Sequence, residues 1–489
     1  MAVSTVCGRL SLTPNLSIKP KPKANGRPNT KKLSVRIQAS FSDPFVLQLA
    51  ESLEDSLSAC PSSSLSSSSL PLQRIRDSSA EALLSTPWPS RRDEPFRFTD
   101  TSFIRHSQIE PVSTKQRNSK ILEDLTETEF PNVVIIDGFV ASFSVDPSDF
   151  PDGVYVGSFT GLPDEISGRV SEFIGDFDSG DLFWSINGMG APDLTVIYVP
   201  VGCRVENPIL LRYFAGETGD LQSKRLPVSN PRVFVLVEGG GEVGIVEEFV
   251  GIDENGFYWA NPVLEVVVRE RAKVRHTYLQ RESMAAAHIK WTSVRQERES
   301  SYELVEVSTG GRLGRHNVNV QQLGPETVTE LTTFHLCIDE QTLDLHSRIV
   351  LDHPRGCSRQ LHKCIVAHPS GQAVFDGNVK VNKYAQQTDA GQLTRSLLLE
   401  KRATVNVKPN LQIIADDVKC SHGAAISDLE DDLLFYFRAR GIDLDTARGA
   451  LLLSFASEVI ESLPYNEIRD QVEGHVKGLL QSGRKSLPQ

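Results

Sequence analysis

The stretches RVFVLV (residues 232–237) and VLEVVV (residues 263–268) decide the fold class of this chain. Both are short and rich in β-branched residues, which pack well on a pleated sheet. Similar runs, separated by Gly, Pro, Asn and Asp, recur at intervals of roughly 8–12 residues or more, as successive strands do. We therefore predict a mainly β core over residues 131–425. The other runs of this kind cover residues 133–136, 194–201, 209–214, 243–249, 274–280, 302–307, 315–321, 342–351, 361–367, 373–381 and 411–415.

The pattern alone leaves open how these strands are stacked. A doubly wound sheet is disfavoured, because the strands do not alternate with long helical patterns. The series is too long for one simple sandwich, whereas a long solenoid, stacked sandwiches or a parallel β-helix would each accommodate it. Residues 283–299 fit a helix and a strand equally well.

An N-terminal helical and irregular region precedes the core. Residues 43–60 have apolar side chains at helical spacing, and Asp43 is suited to cap that helix. The stretch PSSSLSSSSL (residues 61–70) is predicted to be a flexible linker, because it buries too little apolar surface to offset the entropy lost on ordering. A second helix is predicted at residues 72–85, and residues 88–130 are predicted to be irregular.

Helical periodicity returns in the C-terminal region, residues 426–489. Ser427 and Glu430 have the spacing of a capping box, in which a hydroxyl and a carboxylate each bind a free backbone N–H group. Gly441 is placed to end this first helix, and further helices are predicted to start near Asp443 and Asn466. The apolar faces would either cap an open end of the core or bind a partner. They consist of Leu429, Leu433, Leu434, Phe437, Ala447, Leu451, Phe455, Val459, Val472, Val476 and Leu480.

Residues 1–42 differ in composition from the rest of the chain. They contain eight Lys and Arg, many Ser and Thr, and no acidic residue. This composition is typical of an organelle transit peptide, and the small residues at its start favour a plastid. The segment VRIQAS (residues 35–40) is a candidate processing region. Without residues 1–42, 43 basic and 63 acidic residues remain, a net charge of −20.

Overall composition excludes several functions. The net charge of −12 over 489 residues repels phosphate backbones, which argues against nucleic acid as the partner. No apolar run approaches the roughly 18 residues of a membrane span. The seven cysteines form no CxxC pair, so a disulfide framework is not expected. The phosphate-loop, HExxH and GxSxG motifs are absent, so no standard enzyme class is indicated.

One candidate site is a cluster of histidines and cysteines in residues 335–368. Imidazole and thiolate ligands suit zinc or iron, but the spacing matches no zinc finger or ribbon. A solenoid core also accepts cysteine as a small apolar residue, so structural roles are favoured. The alternative function is a metal-dependent β-helix hydrolase or lyase, for which Asp339, Glu340, Asp344 and Asp352 would be available. The cluster consists of His335, His346, His353, His362, His368, Cys337, Cys357 and Cys364.

A second candidate site is the segment ADDVKCSHG at residues 415–423. Cys420 and His422 are two residues apart, so on an extended segment their side chains share one side. Both side chains can bind iron. Neighbouring charges from Asp416, Asp417 and Lys419 would tune the pKa values of such ligands.

Four segments of the chain resemble the SufD proteins, which are core subunits of the Suf machinery for iron–sulfur cluster assembly, in a plastid form. These segments are WPSRRDEPFRFTD (88–100), CSRQLHKCIVAHPSGQAVFDGNVKV (357–381), ADDVKCSHGA (415–424) and FYFRARGI (435–442). They occur in the order and spacing of that family, and the similarity is densest from about residue 340 to 463. Several long motifs in order make the resemblance specific.

The resemblance implies a right-handed parallel β-helix flanked by helical regions, and a scaffold rather than an enzyme. It further implies that the chain pairs with a SufB-like paralogue and binds a SufC-like ATPase through helices at 428–440 and 444–462. ATP hydrolysis would then open the interface where a nascent cluster is built. The residues that would bind the ATPase are Leu429, Leu433, Phe437, Leu451 and Phe455.

The resemblance also assigns the ligand site. The family's histidine in the Cys-Ser-His-Gly motif falls on His422, with Cys420 beside it, so both are expected to bind a transient cluster shared with SufB. SufB-like chains carry an essential cysteine in a run that reads LTRSLLLE (393–400) here, with Thr394 in the cysteine position. A threonine cannot hold a persulfide, which favours SufD over SufB. The sequence leaves open whether a flavin assists the complex.

Overall fold

The computed structural model describes residues 43–58, 70–112, 130–144, 150–177, 181–253 and 255–482. The predicted transit segment, residues 1–42, lies outside them, as does all but the last residue of the serine-rich stretch 61–70. None of the helices in the described part of the chain is long and apolar enough to span a membrane.

The described elements are short strands with helices at both ends of the chain. The helices are α1 (Pro44–Ser58), α2 (Leu70–Leu83), α3 (Ser102–Arg105), α4 (Asp164–Ser171), α5 (Leu182–Gly190), α6 (Asp431–Arg438), α7 (Leu444–Ile460) and α8 (Asn466–Ser482), with 3₁₀ turns at Glu94–Phe96 and Phe159–Gly161. The strands are β1 (Gln108–Pro111), β2 (Asn132–Ile136), β3 (Phe139–Ser144), β4 (Tyr155–Ser158), β5 (Thr195–Val199), β6 (Ile209–Phe214), β7 (Arg225–Ser229), β8 (Arg232–Val237), β9 (Glu242–Val250), β10 (Trp259–Ala260), β11 (Val263–Val268), β12 (Lys273–Arg281), β13 (Ala287–Gln296), β14 (Ser301–Ser308), β15 (Leu313–Gln322), β16 (Val328–Cys337), β17 (Thr342–Leu351), β18 (Cys357–Val366), β19 (Gln372–Val381), β20 (Thr388–Leu398), β21 (Thr404–Ile413) and β22 (Val418–Ser427).

The strands form a parallel β-solenoid of about seven turns, which confirms the predicted fold class. The first sheet has the order β21-β19-β17-β15-β13-β11-β8-β5-β4, and the second has the order β22-β20-β18-β16-β14-β12-β9-β6-β2-β3. From β11 onward the chain therefore crosses from one sheet to the other at each step and adds one strand to each sheet per coil. Every pairing from β11 to β22 is parallel.

One corner of each coil is built in the same way. A non-glycine residue there adopts the left-handed conformation, with φ between 57° and 60°. Its N–H donates to a carbonyl of the next coil, for example from Glu326 to Pro354 and from Arg355 to Gln386. The corner thus stacks successive coils through the backbone, which offsets the strain of the left-handed conformation. The residues at this corner are Arg271, Glu299, Glu326, Arg355 and Gln387.

The interior between the sheets is largely filled by Val, Ile and Leu, such as Val235, Val266 and Leu345. The predicted runs at 232–237 and 263–268 match β8 and β11 in full, and the ambiguous residues 283–299 contain β13. Among the strands from β11 onward, three were missing from the prediction, because polar residues occupy inward positions in them: β16, β20 and β22. The shorter strands β1, β3, β4, β7 and β10 were missing as well. The β-rich core also contains α4 and α5, which the strand pattern did not indicate.

The N-terminal region packs on the first sheet. Asp43 caps α1 as predicted, since its Oδ1 accepts a hydrogen bond from the Phe45 N–H at 3.1 Å. The prediction that residues 88–130 are irregular was wrong in part, because the 3₁₀ turn Glu94–Phe96, α3 and β1 all lie in this range. Residues 113–129 of that range lie outside the described residues.

The C-terminal helices α7 and α8 pack on the outer face of the second sheet. Leu452, Val459, Val472 and Val476 are buried there. The predicted capping box was wrong: Ser427 ends strand β22, and α6 begins at Asp431 without a side-chain cap. Gly441 does adopt the left-handed conformation, with φ of 83°, and Asp443 caps α7.

Candidate functional site at the open end of the solenoid

The last coil of the solenoid leaves one edge of each sheet unpaired. Among the described strands, β21 pairs only with β19 and β22 only with β20. Such an edge presents backbone N–H and C=O groups to a further strand. Exposed apolar side chains lie beside it, with Ile413, Ile414 and Ile426 each about half exposed. This end therefore has the properties of a surface that another chain can cover.

Cys420 and His422 lie on β22, and the strand places them on one side as the sequence predicted. Cys420 is in register with Ala390 and His422 with Gln392, both of which are buried inside the solenoid. Because side chains alternate along a strand, both candidate ligands point toward the interior side of the sheet. They are accessible because β22 is the last strand: His422 is exposed and Cys420 is half-buried.

The electrostatic environment keeps Cys420 protonated. Partial burial raises the pKa of its thiol, and the carboxylate of Asp389 on the next strand acts in the same direction. Asp389 is itself held by Arg359 at 2.8 Å and by Lys419 at 3.5 Å. A metal ion that binds Cys420 would therefore have to displace the proton of the thiol.

Thr394, which occupies the position of the SufB cysteine, lies on β20, the strand that pairs with β22 in the second sheet. Its side chain points into the solenoid. It is in register with His362 on one side and Ala424 on the other, and its side chain is 1% exposed. Its hydroxyl has no hydrogen-bond partner among the described residues. The position is thus close to the open end but carries no sulfur.

The histidines and cysteines of residues 335–368 do not converge on one point. His335 Nε2 lies 2.9 Å from Glu306 Oε1, and His362 Nδ1 lies 2.8 Å from the Thr333 hydroxyl. Burial raises the pKa of the Cys364 thiol to about 12, and that of Cys337 rises further. These thiols are protonated and packed among apolar side chains, which is the structural role that the sequence analysis favoured.

The remaining members of that cluster lie elsewhere. His346 is on the first sheet beside Asp344, with His346 Nε2 3.0 Å from Asp344 Oδ1. Cys357 is the half-buried first residue of β18, and His353 and His368 lie in turns. Within the described ranges, no group of three His, Cys, Asp or Glu residues is arranged to hold a metal ion. The metal-dependent hydrolase therefore lacks the site on which that alternative depended.

The solenoid interior contains a cluster of charges that the sequence analysis missed. Lys290 Nζ and His276 Nε2 lie 2.8 and 2.9 Å from Glu247 Oε2, and Tyr213 donates to its other oxygen at 2.8 Å. Burial alone would raise the pKa of Glu247, but the Lys290 charge and the hydrogen bond with His276 outweigh it and lower the pKa. Side chains alternate between the two faces of a strand, so these residues could be placed inside only once the inward face of each strand was known.

A second buried cluster lies one to two coils further along. Glu306 is held by His316 Nδ1 at 2.7 Å and by His335 Nε2 at 2.9 Å. Burial opposes ionisation of Glu306, yet the two histidines lower its pKa well below its usual value. The His335 ring contacts the His362 ring at a centroid distance of 4.9 Å. Buried polar side chains thus continue toward the open end.

Helix α6 is the other exposed feature near this end. None of its residues is buried, and Phe435, Tyr436 and Leu433 are 73%, 53% and 44% exposed. The sequence analysis named Leu433 but not the two aromatic residues. Phe455, which was also named, lies under the ammonium of Lys363 at 3.9 Å from the ring centre and is partly buried. The remaining named residues Leu429, Phe437 and Leu451 are partly buried.

Comparisons with known proteins agree with this architecture. Residues 220–455 match the family model described as "SUF system FeS cluster assembly, SufBD core domain", and residues 60–211 match the "SufBD protein N-terminal region". The chain is 78% identical over 480 residues to "Protein ABCI7, chloroplastic" of Arabidopsis thaliana, covering 98% of this chain and 100% of that protein.

Two bacterial relatives are more distant. A Synechocystis protein named as an iron–sulfur cluster assembly SufBD family protein is 34% identical over 407 residues, which is 81% of this chain and 88% of the relative. The Escherichia coli protein named "Iron-sulfur cluster assembly protein SufD" is 28% identical over 417 residues, covering 83% and 92% of the two chains.

Proposed function

We propose, from the premise that this chain belongs to the SufBD family of iron–sulfur cluster assembly proteins, that it is the SufD-type scaffold subunit of a plastid assembly complex. Its partners are a SufB-like paralogue and a SufC-like ATPase, and the chain itself catalyses no reaction. The plastid location is supported by the name of the Arabidopsis relative and by the acid-free composition of residues 1–42.

One observation carries the proposal: His422 and Cys420 lie on the last strand of the solenoid, with their side chains on the interior side and accessible from outside. A partner that pairs with this edge would place its own side chains opposite this row. The nascent cluster is the cargo of such an interface, and His422 would be one of its ligands, with Cys420 as the neighbouring thiol.

A shared ligand set suits a scaffold that must release its product. Ligands contributed by two chains separate when the chains move apart as rigid bodies, so the cargo is released without unfolding either chain.

Helix α6 supports the assignment of a second partner. Its exposed Phe435 and Tyr436 are the kind of aromatic side chains that dominate binding at protein interfaces. The adjoining helix α7 is tied to strand β18 by the pair Glu458–Lys363, at 2.6 Å. A force applied by an ATPase to these helices would therefore reach the solenoid directly.

The test is co-purification under anaerobic conditions of the chain with a SufB-like and a SufC-like subunit. The proposal requires a stable complex that contains all three chains and gains iron and acid-labile sulfide when supplied with iron and a sulfur donor. A chain that binds neither subunit would contradict it.

A further inference from the structure

A second concave site lies away from the open end, on the outer face of the first sheet. Residues 86–96 cross over that face and leave a cleft of about 540 Å³ between themselves and strands β13, β15, β17, β19 and β21 of the first sheet. This volume is within the range of small-molecule sites. The cleft is separate from Cys420 and His422, neither of which lines it.

Two parallel rows of side chains run along this face of the sheet, and members of both rows form the floor of the cleft. One row runs Trp291, Asn317, His346, Asp376 and Lys408. The other row, two residues further along each strand, runs Ser293, Asn319, Arg348, Asn378 and Asn410. The two rows share one face of the sheet because side chains alternate with a period of two.

The first row is occupied by contacts within the protein. Trp291 Nε1 donates to Asp181 Oδ1 at 3.3 Å. Lys408 Nζ lies 2.7 Å from Glu94 and 3.2 Å from Asp376, which links the crossing segment to the sheet. Lys408 thus offsets part of the negative charge of these two carboxylates.

The second row has no such contacts. Asn319, Arg348 and Asn378 line the cleft, and none of their side chains forms a hydrogen bond or ion pair with another described residue. The Asn319 Oδ1 atom is buried without a partner. A buried polar atom without a partner costs free energy, so such atoms indicate a ligand or ordered water.

Two of the three cations that line the cleft are in ion pairs, since Arg315 binds Asp344 and Lys408 lies between Glu94 and Asp376. Asp181 accepts hydrogen bonds from the N–H groups at the start of α5, and Asp93 accepts two hydrogen bonds from Ser90. The third lining cation, the guanidinium of Arg348, forms no ion pair with a described side chain. A guanidinium binds carboxylate and phosphate groups through paired hydrogen bonds.

We propose that this cleft binds a small organic oxyanion that also carries hydroxyl groups, such as a hydroxy acid or a sugar phosphate. Arg348 holds the oxyanion, and the amides of Asn319 and Asn378 on either side bind the hydroxyl groups. Adjacent strands are roughly 4.8 Å apart, so the three side chains span roughly 10 Å, more than a single inorganic anion fills.

The experiment measures binding of citrate and ribose 5-phosphate to the full chain by isothermal titration calorimetry at constant ionic strength. Tricarballylate, which is citrate without its hydroxyl group, is the third probe. Because the Arg348 side chain is exposed and forms no hydrogen bond or ion pair with a described residue, Arg348→Gln should fold normally and weaken binding about tenfold or more. The control Lys380→Gln removes a cation from the same face of the sheet outside the cleft, and should change affinity less than twofold.

The outcomes separate the two ligand sources. Binding of citrate but not of ribose 5-phosphate indicates a hydroxy acid, and the reverse indicates a sugar phosphate. In the first case tricarballylate should bind more weakly than citrate. The proposal is overturned if neither probe binds at millimolar concentration, or if Arg348→Gln binds as tightly as the unchanged chain does. Failure here would leave the assembly function untouched, because that function depends on the other end of the molecule.

Discussion

The ammonium of Lys363 on strand β18 lies 2.6 Å from the Glu458 carboxylate on helix α7, and 3.9 Å from the centre of the Phe455 ring. The Lys363 side chain is only 2% exposed, so the solenoid strand and the helix share a largely buried contact. This contact joins helix α7, which is proposed to bind the ATPase, to strand β18. The same strand places the neighbouring residue His362 inside the solenoid.

Replacing Lys363 with Met should loosen helix α7. We expect the free energy of unfolding to fall by about 1–2 kcal/mol, because one charge-assisted hydrogen bond is lost while the half-exposed Glu458 regains water. Hydrogen exchange should show faster exchange in α7 than in β18. Arg395→Gln is the matched control, since Arg395 reaches the same carboxylate only at 3.6 Å and is half exposed. If both substitutions lowered the free energy of unfolding equally, the contact between Lys363 and Glu458 would not be specific.

Replacing Glu247 with Gln should destabilise the solenoid strongly. The substitution leaves the Lys290 ammonium buried without a compensating charge, and we expect a loss of about 3–5 kcal/mol in urea unfolding. The double variant Glu247→Gln with Lys290→Met should recover part of this loss, because the stranded charge is then gone. A loss below about 1 kcal/mol for Glu247→Gln would show that the interior is more hydrated than its burial indicates.

Stability should fall between pH 6.5 and pH 5 in part because of His475. Partial burial, assisted by the Arg281 charge, lowers the pKa of His475 to about 4, and its Nε2 lies 3.0 Å from the Thr309 hydroxyl. Below the unfolded pKa of about 6.5 the unfolded chain binds a proton that the folded chain does not, so stability is lost as the pH falls toward 4. We expect His475 to account for about 1 kcal/mol of that loss.

Urea unfolding at pH 7, 6 and 5 checks this prediction. His475→Gln should show a smaller decline in stability than the unchanged chain over this range. The same decline in both proteins would mean that another group, such as buried His316 or His362, accounts for all of it.

Helix α6 should bind the ATPase through its aromatic side chains. Because Phe435 and Tyr436 are largely exposed, replacing both with Ala should leave the thermal unfolding midpoint unchanged and weaken binding of a SufC-like subunit about tenfold or more. Tyr384, which is 77% exposed in a distant turn, provides the control Tyr384→Ala. Unchanged affinity in the double variant would place the docking surface elsewhere.

The sequence predicted strands well where their residues are apolar on both faces. RVFVLV and VLEVVV became β8 and β11, and Asp43 capped α1 as expected. Strands with polar inward residues were missed, because inside the solenoid an inward position can hold a threonine or glutamine bonded to its neighbours. The same misjudgement produced the false capping box at Ser427, since β22 extends to that residue.

The candidate ligands could be named from the sequence, but their setting could not. That His422 aligns with Gln392, and that β22 is the last strand of its sheet, depends on the register of strands some 30 residues apart. The buried charges around Glu247 and Glu306 arise from contacts between different coils, so no local pattern predicts them. Likewise, the row Asn319, Arg348 and Asn378 forms only when three strands are brought into register.

The central claim is that His422 holds part of a nascent cluster at the interface with the SufB-like subunit. The most direct measurement is the iron and acid-labile sulfide content of the three-chain complex after anaerobic assembly, with His422→Ala compared with the unchanged chain. His353→Ala is the control, because His353 is also exposed but lies in a turn. The account predicts that His422→Ala still forms the complex but loses most of its iron and sulfide, while His353→Ala retains both. A His422→Ala complex that carries the normal amount of both would contradict it.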